Sequence, residues 1–395
     1  MSGVVHIITS LERGGAQRNT LETVARLHHP ARPQLLVTGA LPDDPSVGLD
    51  DEAASRLGSR LLRVPALQNP LGWHDVGALL DLGRLLAREV ARLRPPVVVH
   101  THSSKAGVLG RLAAQTVNGV VVVHTVHGFG LQALGARRAW LLEAAERSVS
   151  PLAARYVFVS SADRRRAAEL GIDERKTRLI RSGIDLDRFT ALPDRATARK
   201  QLDVDADALV VLTLANCKPQ KDPLFHIEIF RALVDRCPRA RGIFVGDGPL
   251  RPQVEARIAA LGLQAHVLLQ GNVVDVRPFL AAADVFLLAS AWEGLPRSVL
   301  EATAAGLPCV VKDTGWADDT AFAHSIRALP IDASAAAFAD ALILKHRAAP
   351  KRLPREFTQE GMLAALKDLY DELCGPVFDD DERLKMLRRR RRLRR

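Results

Sequence analysis

Apolar residues in this chain gather in short, nearly unbroken runs of β-branched and aliphatic side chains, each followed by a longer stretch with helical spacing. Runs at 4–10 (VVHIITS), 34–40, 60–66, 97–103, 120–127, 155–161 and 177–183 predict seven strands, with helices between them, for example at 74–93 and 135–149. Continuous hydrophobicity is what a strand covered on both faces needs, so the pattern predicts a doubly wound parallel sheet. It then restarts, with strands at 208–215, 242–248, 266–271, 285–290 and 308–314. Between the two series, SGIDLDRFTALPDRA (182–196) carries two Asp-containing turns and a proline and predicts the linker. The expected fold class is therefore α/β, with two Rossmann-like doubly wound parallel-sheet domains, 1–185 and 186–355, facing a central cleft. An amphipathic stretch at 357–375 predicts a helix packing back on the first domain, and 379–395 reads as a charged tail. Strand C-termini of both domains then face one cleft, where a ligand bridging them is the natural occupant.

Composition alters this picture in two places. The formal charge is +10, but seven arginines among the last eight residues leave only +3 on the rest. A solvated tail and an anionic membrane surface, worth roughly 1 kcal/mol per basic residue, both fit that block. Nucleic acid fits poorly, because aromatics total 5% and no aromatic-studded basic face accompanies the tail. The four cysteines are scattered without CxxC spacing, as buried small apolar residues of a reducing compartment would be. The opening MSGVVHIITS lacks a basic region before a long apolar one and reads as a strand, not a signal peptide. No apolar run is long enough to span a bilayer, so a cytoplasmic protein is expected.

Four strand-end segments carry candidate chemistry. Gly14 and Gly15 follow the first strand and open a helix, where bare backbone amides approach a phosphate or simply make a tight connection. His100, His102, His124 and His127 sit in or just past two neighbouring strands. Neither Cys nor clustered carboxylate joins them, which argues against a metal and for satisfied core histidines at 100 and 124, leaving His127 to face the cleft. Lys218 and Lys221 emerge from LANCKPQKDPL, fit either for a diphosphate or for a solvated turn, with Asp222 and Pro223 as helix cap and first residue. Finally, EGLPRSVLE (293–301) places Glu293 in a loop and Glu301 in the first turn of a helix capped by Ser298. Amides around Leu295–Ser298 form a phosphate seat, beside which two carboxylates are best used on sugar diols.

Taken together, GGAQR, VHTVHGF, SGID, VGDGPLR (245–251) and above all the E-x7-E pattern EGLPRSVLE followed by AAGLPCVV resemble the GT-B glycosyltransferases of family 4, a retaining group. The match runs over nearly the whole length and is nearest to the type that builds bacterial surface polysaccharide. The resemblance implies catalytic work at His127 and Glu293, with Glu293 on donor-sugar hydroxyls and Glu301 on the ribose. It implies donor binding by Gly14, Gly15, Asn216, Lys218, Lys221, Val273 (at the base), Leu295, Pro296, Arg297, Ser298 and Glu301. The family pattern has Arg five residues before the clamp lysine. Here Asn216 stands in its place, and Lys218 is the substitute charge. A nucleotide-diphospho-sugar donor, a lipid-linked or oligosaccharide acceptor and front-face displacement without a protein nucleophile follow from the resemblance. With no DxD motif in suitable context, no essential metal or cofactor is expected. A nucleotide-sugar 2-epimerase of similar architecture is the alternative.

Overall fold

A computed structural model describes residues 2–41, 48–68, 72–129, 136–317, 325–345 and 353–377. The tail 379–395 lies outside the described residues. The first sheet holds β1 (Val4–Ile7), β2 (Gln34–Thr38), β3 (Leu61–Arg63), β4 (Val97–His102), β5 (Val120–Val126), β6 (Arg155–Phe158) and β7 (Thr177–Leu179). Their order is β3-β2-β1-β4-β5-β6-β7, and every pairing is parallel. The second holds β8 (Val210–Leu214), β9 (Arg241–Val245), β10 (Val267–Gly271), β11 (Val285–Leu288), β12 (Cys309–Lys312) and β13 (Ile326–Leu329), ordered β10-β9-β8-β11-β12-β13. Parallel strands need crossover helices on both faces, which is why β1, β2, β4, β8, β11 and β12 are buried along their whole length. In each sheet the winding reverses between two neighbours, β1 and β4 in the first, β8 and β11 in the second. Ligands of open α/β sheets bind where strand order reverses.

The chain crosses between the sheets twice, and the two crossings lie side by side. Ile184 N–H donates to the Phe357 carbonyl (3.1 Å), and Gln359 N–H donates to the Ile184 carbonyl (2.8 Å). Gly183 permits this approach, since a Cβ there would overlap the backbone carbonyl of Thr358. The returning helix Gln359–Cys374 is capped by the Thr358 hydroxyl and lays Met362, Leu366, Leu369 and Tyr370 on Val4, Val98, Val123 and Val157. The last helix thus completes the core of the first sheet.

Three details differ from expectation. The linker contains a short helix, Leu186–Thr190, started by the Asp185 carboxylate accepting from Arg188 N–H. The strand β13 has only Ile326 and Leu329 buried, so its apolar run is too short to stand out. Cys217 and Cys309 are buried, but Cys237 and Cys374 are half-buried.

Candidate active site

Loops from both switch points line one cleft of about 560 Å³, within the size range of ligand pockets. From the first domain come Gly14 and Gly15 after β1, Ser103 after β4, and His127 and Gly128 after β5. From the second come Asn216, Lys218 and Lys221 after β8, Val273 after β10, and Glu293 through Ser298 with Glu301 after β11. All residues expected at the site from the sequence therefore line this one cleft.

The domains touch through backbone. Gly128 adopts φ +125°, a conformation that favours glycine, and a Cβ on it would lie 3.1 Å from Gly294 N. A Cβ on Gly294 would overlap the His127 carbonyl oxygen. Two glycines thus let the His127 loop rest directly on the Glu293 loop. Gly15, the first residue of the helix Gly15–Arg26, lies beside the Arg297 side chain, whose Cδ would be in ordinary contact, 3.4 Å, with a Cβ there. Arg297 reaches on to donate to the Gly183 carbonyl at 2.5 Å.

The charges of the cleft are paired. Lys221 donates to Glu293, with side chains only 16% and 6% exposed, and Lys218 donates across the cleft to Glu12 of the first domain. The second pair is half-exposed and contributes at most about 1 kcal/mol. Asn216 Oδ1 is buried without a hydrogen-bond partner. Burial raises the Glu301 carboxyl above its ordinary value, against the opposing charge of Arg297. Burial, reinforced by Arg297, lowers His127 from 6.5 to about 4, so its ring is neutral at physiological pH.

Helix boundaries correct three expectations. The helix after β11 runs Arg297–Ala304 with Pro296 at its cap, so Ser298 is its second residue and Glu301 lies in the second turn, not the first. Proline has no hydroxyl to offer, and no side chain caps this helix. The Arg297 and Ser298 amides are left available for an anion, whereas Val299 N–H donates to the Pro296 carbonyl at 3.1 Å. Asp222 occupies the cap position of the helix Pro223–Arg236 in a left-handed conformation, but its carboxylate makes no cap bond and instead pairs with Lys312 at 3.4 Å. Lys218, the charge expected in place of the missing arginine, lines the cleft and is paired there with Glu12.

The histidines form more than separate core residues. His6, opposite His100 in the β1–β4 register, brings a third imidazole to His100 and His102, and one nitrogen from each lies within 4.8 Å of the others. Those nitrogens are engaged. His100 bonds Tyr370 and Thr125 at 2.6 Å each, and His6 bonds His102 and Gln34 at 3.0 Å each. A divalent cation would displace these bonds and add two charges to a buried cluster that contains no carboxylate. His6 was missed in the sequence because a lone histidine in an apolar strand carries no pattern. Parallel pairing to His100, 94 residues on, becomes visible only with the sheet.

The family model described as Glycosyl transferases group 1 matches residues 194–355, and that described as Glycosyltransferase Family 4 matches residues 13–188. The chain belongs to the family 4 glycosyltransferases. This glycosyltransferase is 32% identical over 245 residues to the UDP-Gal:alpha-D-GlcNAc-diphosphoundecaprenol alpha-1,3-galactosyltransferase of Escherichia coli, covering 60% of the chain and 62% of that relative. It is 27% identical to the putative glycosyltransferase EpsF of Bacillus subtilis, over 79% of each. Among solved structures, Anabaena HepE in complex with UDP and glucose superposes with TM-score 0.69 at 18% identity, covering 94% of this chain and 95% of that one. Sucrose-phosphate synthase from Thermosynechococcus elongatus gives 0.72 at 19%, covering 94% and 99%. These likenesses establish the GT-B fold of the glycosyltransferase, and the epimerase alternative gains no support.

Proposed function

We propose that this glycosyltransferase moves a sugar, with retention of anomeric configuration, from a uridine-diphosphate sugar to a lipid-linked saccharide in surface-polysaccharide synthesis. The observation that carries the reading is the Lys221–Glu293 pair set beside an uncapped helix start, facing His127 across the cleft. An arriving diphosphate takes Lys221 and the free amides, and Glu293 is released toward sugar hydroxyls while Glu301 takes the ribose. Lysine and oriented amides then stabilise the departing diphosphate, which is where negative charge develops. Retention and a front-face displacement, with the leaving phosphate as base, are what the likeness to family 4 implies; the first-domain carboxylates that line the cleft are themselves ion-paired, Glu12 with Lys218 and Glu146 with Arg111. Because Lys221 and the helix amides supply positive charge to the diphosphate, no essential metal is needed. The uridine donor and lipid-diphosphate acceptor are supported by the printed name of the Escherichia coli relative. No helix among the described residues is long and apolar enough to cross a membrane. Action at the cytoplasmic leaflet, aided by the arginine tail, fits a lipid-linked acceptor.

The test is nucleotide release from UDP-sugars in the presence of an undecaprenyl-diphosphate saccharide. Glu293→Gln and Lys221→Ala should each lower the rate by about a hundredfold, and chelator should leave the wild-type rate unchanged. Near-normal turnover in both variants would overturn the assignment.

A further inference from the structure

Four side chains form a continuous hydrogen-bonded line from the interior of the first domain to the cleft. Gln34 Oε1 meets His6 Nε2 at 3.0 Å, His6 Nδ1 meets His102 Nε2 at 3.0 Å, and His102 Nδ1 meets His127 Nε2 at 3.3 Å. Gln34, His6 and His102 are buried, and burial lowers His6 to about 4 and His102 well below its ordinary range, so both rings are neutral. A neutral imidazole has one donor and one acceptor nitrogen. Fixing one proton therefore fixes every proton in the line.

The amide of Gln34 makes that choice. Its Nε2 approaches the Arg32 carbonyl at 3.5 Å, whereas the flipped amide would set two oxygens against each other. With Oε1 toward His6, His6 Nε2 must carry hydrogen, and His6 Nδ1 accepts from His102 Nε2–H. His102 Nδ1 in turn accepts from His127 Nε2–H. We infer that Gln34, His6 and His102 are positioning residues that hold His127 in its Nε2–H tautomer, leaving Nδ1 as a hydrogen-bond acceptor toward the cleft. His127 Nδ1 has no partner among the described residues. Its ligand is a hydroxyl of the bound sugar, which must donate, so a carboxylate or carbonyl oxygen at that point is rejected. The line also ends at an amide oxygen that cannot take up a proton, so it orients His127 and does not drain protons from it.

The tautomer can be read without substrate, and only the rate measurement rests on the glycosyl-transfer reading. In protein labelled with 15N-histidine, two-bond nitrogen–carbon-proton correlations at pH 7 should show His127 protonated at Nε2. Gln34→Met, which removes the acceptor, should give His127 as a tautomer mixture and lower kcat about tenfold. Gln34→Glu, an acceptor only, should restore the single tautomer and most of kcat. His127 protonated at Nδ1 in the wild type would overturn the inference. So would an unchanged tautomer and unchanged kcat in Gln34→Met.

Discussion

His127 and Glu293 reach the cleft from different domains, and what brings them together is the absence of two side chains. Gly128 and Gly294 allow the loops to rest backbone on backbone. Gly294→Ala places a methyl group against the His127 carbonyl and forces the loops apart. Displacement on the scale of 1 Å costs about a hundredfold in rate. Steady-state kinetics should therefore show that loss in kcat/KM, while the melting temperature stays near wild type because neither domain's core is touched. At this scale the sequence was readable where chemistry coincides with strand ends. Gly14, Lys221, Glu293 and Glu301 could be placed because α/β loops carry ligands on that edge. Pairings between distant loops were not readable. Nothing local says that Lys218 meets Glu12, 206 residues away, or that a glutamine at the start of β2 governs a histidine after β5.

Among elements, the helix Ser104–Ala114 is tied to the helix Ala136–Val149 and to β6 by a buried ionic knot. Arg111 donates to both Glu146 oxygens at 2.6 Å, and Tyr156 OH donates to Oε1 at 2.9 Å. Burial alone would raise the Glu146 carboxyl, but the Arg111 bonds, with His124 and Tyr156, prevail and hold it at about 2 instead of 4.5. Since the folded value lies below the unfolded one, the knot gives its full stability above about pH 4.5 and loses it as pH falls toward 2. Removing one partner strands the other charge. Arg111→Met should cost about 3–5 kcal/mol in urea unfolding at pH 7. Glu146→Gln should also flatten the acid dependence of stability between pH 4.5 and 2. Element types were legible wherever the apolar run was long, as in β4, β5 and the helix His74–Leu93. Short elements escaped. The strand β13 exposes Arg327, and the linker helix spans five residues whose Asp185 start resembles an ordinary turn.

Across the whole molecule, the paired crossings at Gly183–Ile184 and Phe357–Gln359 join the domains through two adjacent, hydrogen-bonded chain segments. The same return path sets an order of events at the ribosome. The second sheet is built from one continuous stretch, β8 to β13, and has every strand it needs once residue 329 has emerged. The first sheet finishes its strands earlier, at Leu179, yet one face of Val4, Val98, Val123 and Val157 stays bare until the helix ending at Cys374 arrives. His100 likewise waits 270 residues for its Tyr370 partner. Nascent chains stalled with residue 358 just outside the ribosome, so that Phe357 of the second core has emerged but the last helix has not, should show the second domain protected from protease while the first is digested. Equal protection of both halves would show that the first domain matures without its last helix. On this ordering the domain translated second matures first, and the first domain is held incomplete until the helix ending at Cys374 has emerged.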